Sequence, residues 1–188
     1  MADNHVLIYY AYNVKVNLKK YIRSIPDWPE KGIDFKDITT LLENKKIFRY
    51  VVDEMAEPYI TLHVDKVVAI DARGFLLAAP VAYTLGCGVC LIRKKGKLPF
   101  TTIQESYQKE YGSDTLAIHK DTIKPNERVL LVDDVLATGG TAQASLKLIE
   151  RLGGRVVGIS ILIDLPFLGG SKKISTYKTN YLVSYDSK

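Results

Sequence analysis

Two adjacent acids, Asp133 and Asp134, close an aliphatic run, and a turn of small residues follows them directly (VLLVDDVLATGGTA, residues 129–142). Side chains this small leave the backbone N–H groups of Ala137, Thr138, Gly139, Gly140 and Thr141 open to an oxyanion, and the two threonine hydroxyls add donors. The turn therefore suits one phosphate group. Like charge keeps Asp133 and Asp134 away from that phosphate, which leaves hydroxyl groups or a phosphate-bound cation as their partners. A ribose with a phosphate at one end meets both demands. Positive charge comes from RKKGK, Arg93 to Lys97, the densest basic cluster of the chain, and from Arg73 in DARGF.

The elements that must position these groups are readable from Lys66 onward, where short aliphatic runs alternate with helix-like stretches, the pattern of a parallel sheet covered by helices. Strands are expected over 66–71, 88–94, 115–120, 128–134 and 155–165. Helices are expected over 75–86, where Pro80 implies a kink or an early start, and over 141–154. In an open parallel sheet ligands gather at the carboxyl ends of the strands, where helix N-termini carry partial positive charge, and the acid pair with its turn falls in that place. Residues 24–44 hold two prolines around Trp28 and fit neither a simple helix nor a simple strand. Residues 96–113 form a long polar connection of the kind that serves as a lid or binding loop. The expectation is a single α/β domain with an open, mainly parallel twisted sheet and helices on both faces. A small hood near the N-terminus (about 24–44) and a flexible loop (about 96–113) complete it.

Other nucleotide motifs fit worse: no lysine follows Gly140 as a phosphate-binding G-x-x-x-x-G-K-[ST] loop requires, and GCGVCL stops short of G-x-G-x-x-G. With 188 residues and 47% hydrophobic content the chain is long enough for one sizeable core. Its net charge of +5 favours anionic partners, but the sequence has no basic helix and no regular interleaving of aromatics, which argues against a nucleic-acid polymer. No apolar run approaches a membrane span and the N-terminus lacks a secretory pattern, so a cytoplasmic protein without a membrane partner is expected. Cys87 and Cys90 lack the further ligands of a zinc site and are expected to be small hydrophobes. His5, His63 and His119 receive no role.

VLLVDDVLATGGTA closely resembles the signature of the type I phosphoribosyltransferases, and four further blocks, IPDWPEKGIDFKDITTLL, DARGF, LIRKKGKLP and SYQKEYG, are similar in order and spacing to those of the adenine phosphoribosyltransferase family. The likeness covers roughly Ser24 to Leu168. It implies the type I phosphoribosyltransferase fold and the reaction of adenine with 5-phosphoribosyl 1-pyrophosphate (PRPP) to give AMP and pyrophosphate, with magnesium held mainly through PRPP. It also implies a homodimer in which Arg93 reaches the neighbouring site. By the same resemblance Asp133 and Asp134 meet the ribose, Ala137 to Thr141 hold the 5-phosphate, and Asp71, Ala72 and Arg73, with a cis peptide at Asp71-Ala72, face the pyrophosphate beside Arg93, Lys94 and Lys97. Phe35 stacks on adenine, Leu165 covers its other face, and backbone groups near Asp34 and Lys36 read its edge. Glu110 exchanges a proton with the purine N7, and Tyr107 and Tyr111 pack over substrate in the lid. Asp34 and Lys36 depart from relatives that carry an apolar residue and arginine there, which touches base preference if side chains rather than backbone read the base. Two alternatives stay open: a transferase for xanthine, hypoxanthine or guanine, and a PRPP-sensing regulator. The intact SYQKEYG block, and the two dozen residues before the hood, too few for a winged helix, favour catalysis over the regulator.

Overall fold

The chain, described in this computed structural model over residues 15–108 and 112–187, divides into two units, residues 1–47 and 48–188. In the first, the prolines around Trp28 stop one strand before the next begins. β1 (Arg23–Pro26) and β2 (Asp34–Asp37) pair antiparallel, Ser24 opposite Lys36 and Ile25 opposite Phe35. Pro26, which has no N–H for the ladder, stands at the strand's end. The Trp28-Pro29 peptide is cis, and the turn is closed by the Gly32 N–H donating to Asp27 Oδ1 at 2.7 Å and the Trp28 N–H to the Ile33 carbonyl at 3.2 Å. After the short α1 (Thr39–Leu42), Asn44 caps α2 (Lys45–Ala56), its Oδ1 accepting from the Lys46 and Ile47 N–H groups at 3.2 and 3.3 Å.

The described residues of the second unit build a seven-stranded sheet in the order β5-β6-β4-β3-β7-β8-β9. The strands are β3 (Lys66–Ile70), β4 (Gly88–Lys94), β5 (Thr102–Gln108), β6 (Ser113–His119), β7 (Arg128–Leu136), β8 (Arg155–Asp164) and β9 (Thr179–Ser184). β4, β3, β7, β8 and β9 run parallel, while β6 and β5 are antiparallel additions at one edge. The mainly parallel α/β sheet is the expected architecture. Alternation splits each central strand between two cores. Val68, Ile70, Cys90, Ile92, Leu131, Ile159 and Ile161 face α4 (Gly140–Arg151) with Leu148 and Ile149, and α3 (Arg73–Leu85) packs on β3 and β7 from the other side. There Tyr59 lies over Gly158, whose missing side chain makes the room, and donates its hydroxyl to the Ile159 carbonyl at 2.7 Å. Fully burying a side chain such as Leu130, Leu131 or Leu148 stabilises by about 1.5–3 kcal/mol, against about 0–1 kcal/mol for an exposed ion pair. The apolar layers therefore fix where the strand ends lie.

Three details differ from the sequence-based expectation. α3 starts at Arg73 and keeps Pro80 inside; the carbonyl that loses its helical partner belongs to Leu76, an exposed residue, so water can serve it. The connection 96–113 contains β5, which the pattern missed because Glu105 interrupts the inward alternation of Ile103 and Tyr107 among otherwise polar residues. Cys87 precedes β4 and is only half-buried, while Cys90 within it is buried; both are free thiols.

Candidate active site

β7 delivers the acid pair at the carboxyl end of the sheet's centre. Arg73, first residue of α3, sets its Nε 2.6 Å from Asp134 Oδ2, so one of the cations expected to face pyrophosphate neutralises an acid in this state. Asp133 lies against the helix start: a Cβ at Gly74 would come 2.8 Å from Asp133 Oδ1, which makes glycine a steric requirement there. Burial, and after it the Asp134 carboxylate, push the Asp133 carboxyl well above the ordinary range. Burial raises Asp134 as well, with the Arg73 guanidinium pulling the other way. Two adjacent acids, Asp134 buried and Asp133 half-buried, with one cation between them can accept from hydroxyl donors or take further positive charge. Asp134 Oδ2, buried, meets the Arg73 guanidinium as an ion pair and not through an aligned hydrogen bond. Among the described residues no group of three or more His, Cys, Asp or Glu side chains could hold a metal ion. The two carboxylates supply the hard oxygens magnesium takes but are too few for a cage, which fits an ion held chiefly by phosphate oxygens.

Beyond the acids the chain turns through Ala137 and Thr138 to Gly139, whose φ of 79° lies in the left-handed region, and enters α4 at Gly140. The first N–H groups of α4 have no partner within the helix and carry the positive end of its dipole, a setting suited to an anion. What holds it comes from elsewhere in the chain. The Gly170 N–H donates to the Ala137 carbonyl at 3.0 Å, and a Cβ on Gly139 would stand 2.9 Å from Gly170 Cα. Gly170 opens the short α5 (Gly170–Lys173), and sequence reasoning passed over it; its signal, the pair Gly169-Gly170 after Leu168, was visible but uninterpreted. Thr141 Oγ1 donates to the Tyr107 hydroxyl at 3.2 Å.

The Asp71-Ala72 peptide is cis, as the resemblance implied. Arg93, on β4, places Nε 2.9 Å from Asp71 Oδ2, with its guanidinium 6.0 Å from the Phe75 ring centroid and one nitrogen donating to the Lys97 carbonyl at 3.2 Å. Arg73 and Arg93 thus each meet an acid of the expected site. Lys94 pairs at 3.5 Å with Asp114 instead, largely in solvent, and Lys97 is exposed.

Of the residues assigned to the base, Asp34, Phe35 and Lys36 make up most of β2. Lys36 is buried, with Nζ 2.6 Å from Asp34 Oδ2 and 2.8 Å from Ser24 Oγ. The two departures from the family pattern are therefore one ion pair on one face of the hairpin, while Phe35 points to the other face and meets Trp28 edge-on, ring centroids 4.4 Å apart. Leu165 follows β8 and is buried, its N–H donating to the Leu136 carbonyl at 3.0 Å. Beside it Asp164, also missed from sequence, keeps Oδ1 buried without a hydrogen-bond partner, and burial raises its pKa. Glu110 and Tyr111 lie outside the described residues.

The profile of the phosphoribosyl transferase domain matches residues 37–183. An adenine phosphoribosyltransferase of Brachyspira hyodysenteriae is 54% identical over 170 residues, covering 90% of this chain and all of the relative. The crystal structure of the adenine phosphoribosyltransferase from Thermoanaerobacter pseudethanolicus superposes with a TM-score of 0.87 at 48% identity, over 89% of this chain and 98% of that one. That of Saccharomyces cerevisiae, solved with an imino-altritol bisphosphate and adenine, gives 0.83 at 34% identity, over 88% and 96%.

Proposed function

We infer the chemistry of this chain from its family and its geometry together: it belongs to the phosphoribosyl transferases, and among them to the adenine phosphoribosyltransferases, and it converts adenine and PRPP to AMP and pyrophosphate. The observation that carries the reading is the Ala137–Thr141 turn, seated at the start of α4 directly after an acid pair of which Asp134 is buried and Asp133 half-buried.

Within that reaction we assign the residues as follows. The turn takes the 5-phosphate, and Asp133 and Asp134 take the ribose hydroxyls. Magnesium brought in with PRPP would supply charge neutralisation at the pyrophosphate, with Asp133 and Asp134 the carboxylate oxygens within this site. Arg73 leaves Asp134 for the pyrophosphate once the ribose satisfies that carboxylate; an ion pair already at 2.6 Å shows that its reach covers the acid side of the site. Stabilising the negative charge that builds on the leaving pyrophosphate is the largest rate effect open to such a site. The Asp71 and Ala72 backbone joins Arg73 there, and Arg93, Lys94 and Lys97 raise the local positive potential. Phe35 offers a stacking face for adenine and Leu165 an apolar contact, with β2 backbone groups at Asp34 and Lys36 reading the base edge. Glu110 serves as the acid at N7, and Tyr107 and Tyr111 belong to the lid.

The homodimer is part of the same proposal. Val89 and Leu91 are each 40% exposed on β4, on the face that also carries Arg93, and Leu76 and Tyr83 stand exposed on α3. An uncovered apolar face that continues into an active-site arginine suits a second copy of the chain. A cytoplasmic setting is supported by the two unpaired thiols.

The test is pyrophosphate release from PRPP and magnesium with adenine, hypoxanthine, guanine and xanthine in parallel. Turnover with adenine alone is expected. Activity on an oxo-purine would overturn the base, and silence on all four with PRPP bound would overturn the enzyme.

A further inference from the structure

Tyr107 makes contacts that a residue merely lying over substrate would not need. β5 is fastened along α4. Arg151 donates to the Gln104 carbonyl at 2.7 Å and pairs with Glu105 at 3.0 Å, and Lys147 reaches Glu105 at 3.1 Å. Further along, the Tyr107 ring lies against Gly140, where a Cβ would stand 2.7 Å from Tyr107 Cδ2 and 3.2 Å from the Gln108 carbonyl oxygen. The second glycine of the turn thus makes room for the tyrosine ring. The Tyr107 hydroxyl then meets Thr141 Oγ1 at 3.2 Å.

We propose that Tyr107 is a positioning residue for the 5-phosphate, acting through Thr141. The inference rests on the reading that the Ala137–Thr141 turn binds that phosphate. A threonine hydroxyl has one proton to give. In the ligand-free state it goes to Tyr107. With phosphate bound it turns to a phosphate oxygen, and the tyrosine O–H, now free to donate, turns to Thr141 Oγ1, so the same pair is kept with its direction reversed. The tyrosine holds the threonine rotamer in both states, and the glycine below it keeps the ring in place.

The experiment compares Tyr107→Phe, Thr141→Val and the double variant. Tyr107→Phe keeps the ring on Gly140 and removes only the hydroxyl. Its KM for PRPP should rise about five- to tenfold, the scale of one hydrogen bond, with kcat and the KM for adenine within about twofold and Tm within about 1 °C. In calorimetry AMP should weaken by the same factor while adenosine, which lacks the phosphate, should not. The double variant should be no worse than Thr141→Val alone, since the tyrosine acts through the threonine. If Thr141→Val weakens PRPP but Tyr107→Phe does not, or if the two effects simply multiply, the relay is wrong and the phosphate site stands. If neither change alters PRPP or AMP binding, the phosphate reading itself falls.

Discussion

Replacing Gly170 by alanine tests whether the phosphate turn is held by a contact that the signature does not contain. The new Cβ would press on the Ala137 carbonyl oxygen and stand 2.9 Å from the Gly139 nitrogen. Both are backbone atoms, so no flexible side chain can yield. Overpacking of this kind costs about 1–3 kcal/mol, and parting the two segments also gives up the Gly170 N–H to Ala137 bond, about 1 kcal/mol more. A total of roughly 2–4 kcal/mol, borne by the bound shape of the turn, corresponds to a loss of about thirty- to a thousandfold in PRPP affinity. The turn lies at the rim of the sheet, so most of the strain should leave with its displacement and Tm should fall by less than about 5 °C, against about 2–4 °C for each kcal/mol borne by the whole fold. Gly169→Ala is the control. It has φ 77° but nothing within 4 Å of the added Cβ, so it carries only the left-handed penalty of about 1–2 kcal/mol. The assay is the KM for PRPP at saturating adenine, with Tm alongside. A Gly170→Ala enzyme whose KM stays within threefold would refute the reasoning, and so would one no worse than Gly169→Ala.

Three other outcomes are expected. Burial lifts the Asp133 pKa above its unfolded value of about 3.9, so in the ligand-free protein the folded state keeps a proton that the unfolded state has lost, and this group's contribution to stability falls as pH rises through that window. Asp133→Asn should therefore raise Tm at pH 8, with the gain shrinking towards pH 4, while turnover drops by about a hundredfold or more; a lower Tm at pH 8 would contradict the assignment. Leu91→Glu places a charge on the exposed apolar face of β4 and should give a folded species near 21.1 kDa in sedimentation velocity, and if the proposed homodimer sets Arg93 at the neighbouring site, turnover should be lost with it. A fully active dimer would remove that face from the interface. Glu110→Gln should lower kcat by on the order of a hundredfold with PRPP affinity little changed, and near-normal turnover in a steady-state assay would take Glu110 out of the mechanism.

What the sequence made legible is what lies close together along the chain. The aliphatic run, the acids, the small turn and the start of the helix after it occupy fourteen consecutive residues, and their chemistry follows from residue type and order alone. The central strands were equally plain because burial on both faces demands unbroken aliphatic runs. Contacts that join distant segments were not. The glycines at 74 and 170 look like any others until Asp133 and the Ala137 carbonyl are brought against them across dozens of residues. β5 was not legible because Glu105, which meets α4 through ion pairs, stands between the two inward apolar residues Ile103 and Tyr107 and breaks the stripe they would form. The pairings of Arg73 with Asp134 and Arg93 with Asp71 likewise depend on strand order.

Asp34 and Lys36 show how far a local departure can mislead when each residue is weighed alone. An acid in place of an apolar residue and a lysine in place of arginine read as two threats to base recognition. In the hairpin they share one face, Nζ to Oδ2 at 2.6 Å, with Ser24 completing the cluster from the opposite strand. Phe35 lies on the other face, so the Lys36 ammonium and Asp34 Oδ2 are turned to each other and to Ser24, away from the side on which a base would stack on Phe35. Changing one partner would leave the other's charge without its counterion in a largely buried place, which is far costlier than changing both. A chain that carries Asp34 and Lys36 together keeps the hairpin, so on the proposed assignment, in which β2 backbone groups read the base edge, the pair leaves that edge-reading unchanged.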